Sequence, residues 1–292
     1  MQIPNYTIDK VKGAGHSPED LMVMRFGEYL ATREYLFQPH RHSFCHLVYF
    51  TRGKGTHSID FVSFPVRPGQ AYFMNPGQVH NWAFAGEVEG YIVNFSPRFF
   101  SLFLHDPRYL GQFAFFSGQC REQVIDLPES GQGPVVEIFE KILLEVNEDK
   151  THGSDMIRVL LLQIFLLVSR QSDNNSVAHV HKPGLILLQN FRRLVEEHFL
   201  QQRLPKEYAA MLYVTPNYLN ALSRDVLGIS AGELIRERVI LEAKRLLINA
   251  GMSISEIAYQ LNFQDHSYFT KFFKKYAGVT PEVFRKQINS TE

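Results

Sequence analysis

Cysteine is nearly missing from this chain: Cys45 and Cys120 are the only two in 292 residues. An extracellular disulfide framework would need more, so two free thiols in a reducing compartment are expected. Net charge is missing too, with 30 Lys and Arg against 30 Asp and Glu. That excludes the strongly basic composition which by itself announces a nucleic-acid partner. Long apolar runs are also lacking. The longest, Val159 to Val168, is interrupted by Gln163 and falls well short of the roughly 20 residues of a membrane-spanning helix. The opening MQIPNYTIDK has no apolar segment of the signal-peptide kind. The expectation is a cytoplasmic protein with no membrane partner.

The chain is 45% hydrophobic and 21% charged, and its length suits two domains. Its charge is unevenly shared. Residues 1–182 hold 16 Lys and Arg against 19 Asp and Glu, leaving 14 against 11 in residues 183–292. The polar stretch QSDNNSVAHVHKP, residues 171–183, reads as a linker between a first domain, 1–170, and a second, 184–292.

The first domain reads as short strands. After a weak strand signal at Leu21 to Phe26, aromatic and β-branched residues run from Phe44 to Thr51, and a further strand is expected from Thr56 to Phe64. Ala71 to Met74, Val79 to Phe84 and Tyr91 to Phe95 continue the series between Pro- and Gly-marked corners. Strands at this spacing imply a sandwich or barrel. Within them, His40, His42 and His46 share one parity with Phe44, Val48 and Phe50, so all would point inward together, and Trp82 shares the parity of His80. Neutral imidazoles in such a set could bind a metal or hydrogen-bond a small ligand, or His40 and His42 could lie in water at the barrel mouth. No carboxylate accompanies them as an acid or base, and His57 and Asp60 acquire no role from the sequence. Two helices follow, Pro134 to Val146 and Ser154 to Arg170. The second is apolar on nearly every side, so the barrel covers one face, and either a partner subunit or further packing inside the domain is expected on the rest.

The second domain is rich in helix-start and helix-stop signals. An amphipathic helix, Leu185 to Phe199, precedes Leu204-Pro205, which opens a helix carrying Tyr208, Ala209 and Leu212. Thr215-Pro216 opens the next, which ends at Gly228. Ser230 with Glu233, and Ser253 with Glu256, are capping boxes; the first begins a helix of about twenty residues, ~30 Å, running to Gly251. Asn262 suits a left-handed turn and Asp265 caps the last amphipathic helix, with Phe269, Phe272, Phe273 and Tyr276 on one side. Two helix-turn-helices on a long spacer result, and the polar face of the last helix suits base edges and phosphates as well as plain solvent.

Two resemblances sharpen this. PHRHSFCH, residues 39–46, followed by Gly53, resembles the first cupin motif, with His46 where metal-binding cupins carry glutamate. Gly69, Pro76, Gly77 and His80 keep the frame of the second motif, although Asn75 replaces its proline and Phe84 its closing asparagine. Residues 184–286 resemble the AraC/XylS family of bacterial transcription regulators. The resemblance is carried by Ile254, Ile257-Ala258, Asn262-Phe263, Tyr268-Phe269, Phe272-Phe273-Lys274-Lys275, Gly278, Thr280-Pro281 and Arg285.

The resemblance implies an α+β fold in two domains, an N-terminal cupin-like β-barrel with following helices and a C-terminal all-α domain with two helix-turn-helix motifs joined by a long helix. It also implies a non-enzymatic, ligand-responsive regulator. Double-stranded promoter DNA and a small-molecule effector are its partners, with a homodimer expected, and RNA polymerase if it activates. The family's DNA-facing positions fall on Asn217, Asn220, Ala221 and Arg224 in the first motif, and on His266, Ser267, Thr270, Lys271 and Lys274 in the second. Ala221 is a departure, since relatives place a longer side chain there. The effector would meet His40, His42, His46, His80 and Trp82. No cofactor and no metal are assigned, although these histidines would be the ligands of a metal-dependent cupin enzyme or metal sensor, the alternative reading.

Overall fold

The computed structural model describes residues 3–12, 20–101, 103, 104, 106, 109–148, 150–173, 182–249 and 251–289. Two compact units, Pro4–Ser176 and Val177–Glu292, divide the chain. Of the expected linker, residues 171–173 prolong one helix, 182 and 183 begin another, and 174–181 lie outside the described residues.

The first unit begins with β1 (Asn5–Tyr6), α1 (Ile8–Lys12), β2 (Leu21–Arg25) and α2 (Phe26–Ala31). Then come β3 (His40–His42), β4 (Cys45–Arg52), β5 (Gly55–Ile59), β6 (Val62–Val66), β7 (Gln70–Met74), β8 (Val79–Phe84) and β9 (Glu89–Phe95). A short α3 (Pro97–Ser101) and β10 (Val124–Asp126) lead to the long helices α4 (Glu129–Glu148) and α5 (Gly153–Asp173). The strands form two sheets, ordered β1-β3-β8-β5-β6 and β10-β7-β4-β9-β2.

Alternation along β4 sorts its side chains between two cores. Val48 and Phe50 join Phe44, Tyr72 and Trp82 inside the barrel, while Cys45, Leu47 and Tyr49 face the helices together with Phe139 and Phe165. Phe139 stacks on Tyr91 and Tyr49, with ring centroids 4.8 and 5.8 Å apart, and this fixes α4 against the second sheet. Gly90 is required where β9 meets β4, because a Cβ there would lie 1.9 Å from the Tyr49 carbonyl oxygen.

The strand expected from Thr56 to Phe64 is in fact a hairpin. Asp60 and Phe61, with φ of 45° and 71°, turn the chain between β5 and β6. Asp60 tolerates a left-handed conformation, but Phe61 gives no sign of one. Asp60 is held there by tertiary partners, its carboxylate accepting from the Val79 N–H at 3.1 Å and from Gln78 Nε2 at 2.7 Å.

The second unit contains α6 (Lys182–His198), α7 (Pro205–Met211), α8 (Pro216–Leu227), α9 (Ala231–Leu247), α10 (Ile254–Gln260), α11 (His266–Ala277) and α12 (Pro281–Asn289). One core serves it, joining Ile235, Val239 and Ala243 of α9 to Leu219 of α8, Ile257 of α10 and Phe269 and Phe273 of α11. α9 has 17 residues, roughly 25 Å, and is shorter than expected. Beyond Leu247 the Asn249 side chain accepts from the Gly251 N–H at 3.1 Å and ends the helix early by offering a competing turn.

Candidate functional site

In the first unit, five imidazoles converge inside the barrel. His40 and His42 come from β3, His46 from β4, His57 from β5 and His80 from β8, with Trp82 beside them. Register brings them together: His40 pairs across from His80, and His57 across from Trp82. His40 and His42 are 0% and 3% exposed, which overturns their placement in water at the barrel mouth. His46, His57, His80 and Trp82 are equally closed in. The sequence reading missed His57. The signal was its alternation with Ile59, the two buried residues of β5.

Hydrogen bonds fix the tautomers of two of the rings. His40 Nδ1 lies 2.7 Å from the Gln38 carbonyl oxygen and His46 Nδ1 lies 2.7 Å from Asn94 Oδ1. Both partners can only accept, so each Nδ1 carries the proton and each Nε2 presents a bare lone pair to the interior. Neither Nε2 has a hydrogen-bond partner. His80 is bracketed, its Nε2 lying 2.8 Å from His42 Nε2 and its Nδ1 lying 3.1 Å from His57 Nε2. At the outer ends of this relay, His42 Nδ1 and His57 Nδ1 are unpartnered, as is Trp82 Nε1. Each buried polar atom left unpaired costs about 1–3 kcal/mol, so the barrel interior is built at a loss that a polar ligand could recover.

Burial also sets the charge. It lowers the pKa of His40 to about 4, against a smaller opposing effect of the Gln38 carbonyl, and that of His46 to about 3 despite the Asn94 bond. Burial first, and neighbouring imidazoles second, hold His42, His57 and His80 well below the usual range. At neutral pH the cluster is uncharged, and every ring offers lone pairs. The atoms that His40, His42 and His80 could offer a metal lie within 4.8 Å of one another.

The second unit presents a different surface. Each helix-turn-helix is made by local chemistry: Thr215 accepts from the Tyr218 N–H ahead of Pro216, and Asp265 accepts from the Ser267 N–H. The Ser267 bond also lowers the Asp265 pKa. The turns before α8 and α11 pass through left-handed Tyr213 and Asn262, with φ of 57° and 59°. The two motifs are tied together. The Arg203 guanidinium lies 3.8 Å from the Phe263 ring centroid and donates to the Leu261 carbonyl, and Asn262 Nδ2 donates to the Leu200 carbonyl at 3.2 Å.

On α8, Asn217, Ala221 and Arg224 are exposed and Asn220 is half-buried, its Nδ2 donating to the Pro216 carbonyl at 3.1 Å. On α11, His266, Ser267, Lys271 and Lys274 are exposed and Thr270 is half-buried. Apolar residues of both helices, Leu219 and Phe269 among them, are in the core. The polar faces are therefore open along their length. Tyr218 and Tyr268, each the third residue of its helix, are 50% and 61% exposed, and the sequence reading gave neither a DNA-facing role. Among the described residues, no helix is long and apolar enough to cross a membrane.

Comparison with known proteins divides the chain in the same way. The family model described as an AraC-like ligand binding domain matches residues 25–165, and a helix-turn-helix domain model matches residues 208–287. The arabinose operon regulatory protein of Salmonella typhimurium is 26% identical over 239 residues, which cover 80% of each chain. The HTH-type transcriptional activator RhaR of Escherichia coli is 21% identical over 253 residues, covering 86% of this chain and 87% of the relative. Among solved structures, ToxT from Vibrio cholerae aligns with a TM-score of 0.43 at 15% identity, covering 91% of this chain and 98% of that one.

Proposed function

This chain belongs to the AraC/XylS family of transcription regulators, and on that premise we propose that it binds promoter DNA through both helix-turn-helices under the control of a small effector held in the barrel. One observation carries the reading: α8 and α11 each keep an open polar face while their apolar faces share a single core with α9. A helical domain serving only to stabilise the barrel would have no use for two such faces. Asn217, Asn220, Ala221, His266, Ser267, Thr270 and Lys271 then meet base edges in successive major grooves, and Arg224 and Lys274 meet phosphates. His40, His42, His46, His80 and Trp82 bind the effector. The unpartnered nitrogens among them are what a polar ligand would satisfy. The protein works in the cytoplasm as a dimer, and contacts RNA polymerase where it activates.

Selection of duplexes from a random-sequence pool by the full-length protein tests the reading. Enrichment of a motif with two separated half-elements about 10 base pairs apart is expected. Recovery of no enriched sequence, with and without candidate effectors, would sink it.

A further inference from the structure

We propose that the barrel interior binds one divalent transition-metal ion of the imidazole-preferring class, Zn²⁺, Ni²⁺ or Fe²⁺, through His40, His42 and His80, with His46 adjoining. The inference rests on the reading of the barrel as the ligand site and names the chemistry of that ligand.

The donor set is the first argument. The potential ligand atoms of His40, His42 and His80 are all imidazole nitrogens, and they already lie within 4.8 Å of one another. Neutral imidazole suits the later first-row metals, whereas Mg²⁺ and Ca²⁺ require oxygen ligands that the cluster does not supply.

The second argument is the state of the lone pairs. The Gln38 carbonyl and Asn94 Oδ1 hold protons on the Nδ1 atoms of His40 and His46, leaving both Nε2 lone pairs bare and without partners. This is how a metal-ligating histidine is prepared, with one nitrogen fixed by an acceptor and the other released for the metal. His80 fits the same pattern once its Nδ1–H donates to His57 Nε2 at 3.1 Å, which frees its Nε2 toward His42 Nε2 at 2.8 Å. Without a metal, those two facing Nε2 atoms must share one proton. The relay from His57 through His80 to His42 then carries its protons in one direction or the other, and each direction strands a buried N–H at one end and a bare lone pair at the other. No arrangement of protons satisfies all five rings. A cation among the Nε2 atoms of His40, His42 and His80 uses the lone pairs that no donor reaches. His57 is then a positioning residue, orienting His80 through Nδ1.

Full-length protein carrying no affinity tag, stripped with a chelator and dialysed, tests this by elemental analysis and by melting curves with Zn²⁺, Ni²⁺ or Mg²⁺ salts. One equivalent of Zn²⁺ or Ni²⁺ per chain and a raised melting temperature are expected, with no response to Mg²⁺. His42→Gln and His80→Gln should each weaken binding by at least ~100-fold, and His57→Phe by about 10–100-fold. Half-buried His198, on α6 of the second unit, provides the control, and His198→Ala should leave metal binding unchanged. The wild-type measurement needs no variant to fold. Failure of the wild-type chain to retain a metal, or binding that survives His42→Gln and His80→Gln equally, overturns the proposal. An organic compound that raises the melting temperature of protein unable to hold metal would also overturn it, while leaving the effector reading of the barrel intact. Stoichiometric binding that leaves DNA affinity unchanged supports the metal site and overturns the effector role.

Discussion

Gly228 and Gly278 end α8 and α11 in the same left-handed conformation, with φ of 72° and 85°, and each N–H returns to a carbonyl four residues back, that of Arg224 or Lys274. Counting back from these glycines superimposes the two motifs residue for residue along the recognition helices. Tyr218 then falls on Tyr268, Asn220 on Thr270, Ala221 on Lys271 and Arg224 on Lys274. The two helices present the same positions with different chemistry.

Lys271 and Ala221 occupy equivalent exposed positions, and only the lysine reaches beyond the helix surface. Lys271→Ala should therefore cost on the order of 1–3 kcal/mol of DNA affinity and relax selection at one base step. Binding to a panel of single-base variants of the selected site measures this. A uniform loss across the panel would make Lys271 a phosphate contact and displace the proposed register of α11.

Arg224 and Lys274 stand one turn further along each helix and should act on the backbone alone. Arg224→Ala and Lys274→Ala are each expected to weaken binding about equally on every sequence and to reduce the slope of log affinity against log salt by about 1. Titrations at several salt concentrations read this slope. Sequence-dependent losses would move either residue into the base-reading set.

Tyr213 is 96% exposed and left-handed, so its side chain contributes no packing to offset the strain of a non-glycine residue there. Tyr213→Gly should stabilise the second unit by roughly 0.5–1 kcal/mol, less than the full strain because glycine also loosens the unfolded chain. Denaturant unfolding monitors the change. Destabilisation would show that the tyrosine ring has a structural partner.

Three of the carboxylates that cap helices of this unit, Glu233, Glu256 and Asp265, respond to acid together. Glu233 is lowered in pKa mainly by the Ser230 hydroxyl and then its N–H, Glu256 mainly by the Ser253 N–H and then its hydroxyl, and Asp265 mainly by the Ser267 N–H. A depressed folded pKa gives stability that is present above the unfolded value and lost as pH falls through the folded one. The second unit should therefore loosen on acidification through and below the ordinary carboxylate range. Replacing Ser253 by Ala, at a cost of about 1 kcal/mol at neutral pH, should flatten that dependence. Amide exchange in α10 as a function of pH distinguishes a flattened profile from a merely shifted one.

What could be read from the sequence follows the range of the forces involved. The helix-turn-helices were legible because Thr215, Gly228, Ser253 and Asp265 act on backbone groups within a few residues of themselves. The parity of His40, His42 and His46 was likewise a local property of the strands. The Asp60–Phe61 turn was not legible, because Gln78 and Val79, distant in sequence, hold Asp60 in place. His57 stayed hidden for a related reason, since only the pairing of β5 with β8 brings it to His80. The tautomers of the cluster depend on Gln38 and Asn94, and no spacing rule connects His46 to a residue on β9.

The apolar character of α5 marks the remaining surface. Ile157, Leu161, Ile164, Phe165 and Val168 are buried against the barrel and α4, yet Met156, Val159 and Leu166 are 48%, 49% and 42% exposed. Their spacing, three and then seven residues, puts them in one stripe along the helix. Leu144 of α4, 57% exposed, adds a fourth large apolar side chain on the helix that packs beside it. A second copy of the chain would cover the stripe through the same residues on both sides, as a two-fold interface requires. Val159→Glu combined with Leu166→Glu should then yield a monomer by light scattering while leaving circular dichroism unchanged, because neither residue is in the core. The monomer should bind a paired promoter site more weakly than the parent by a factor of 10² or more, roughly, while its affinity for a single site stays the same. An unchanged molar mass would rule out the stripe as a contact between copies of the chain.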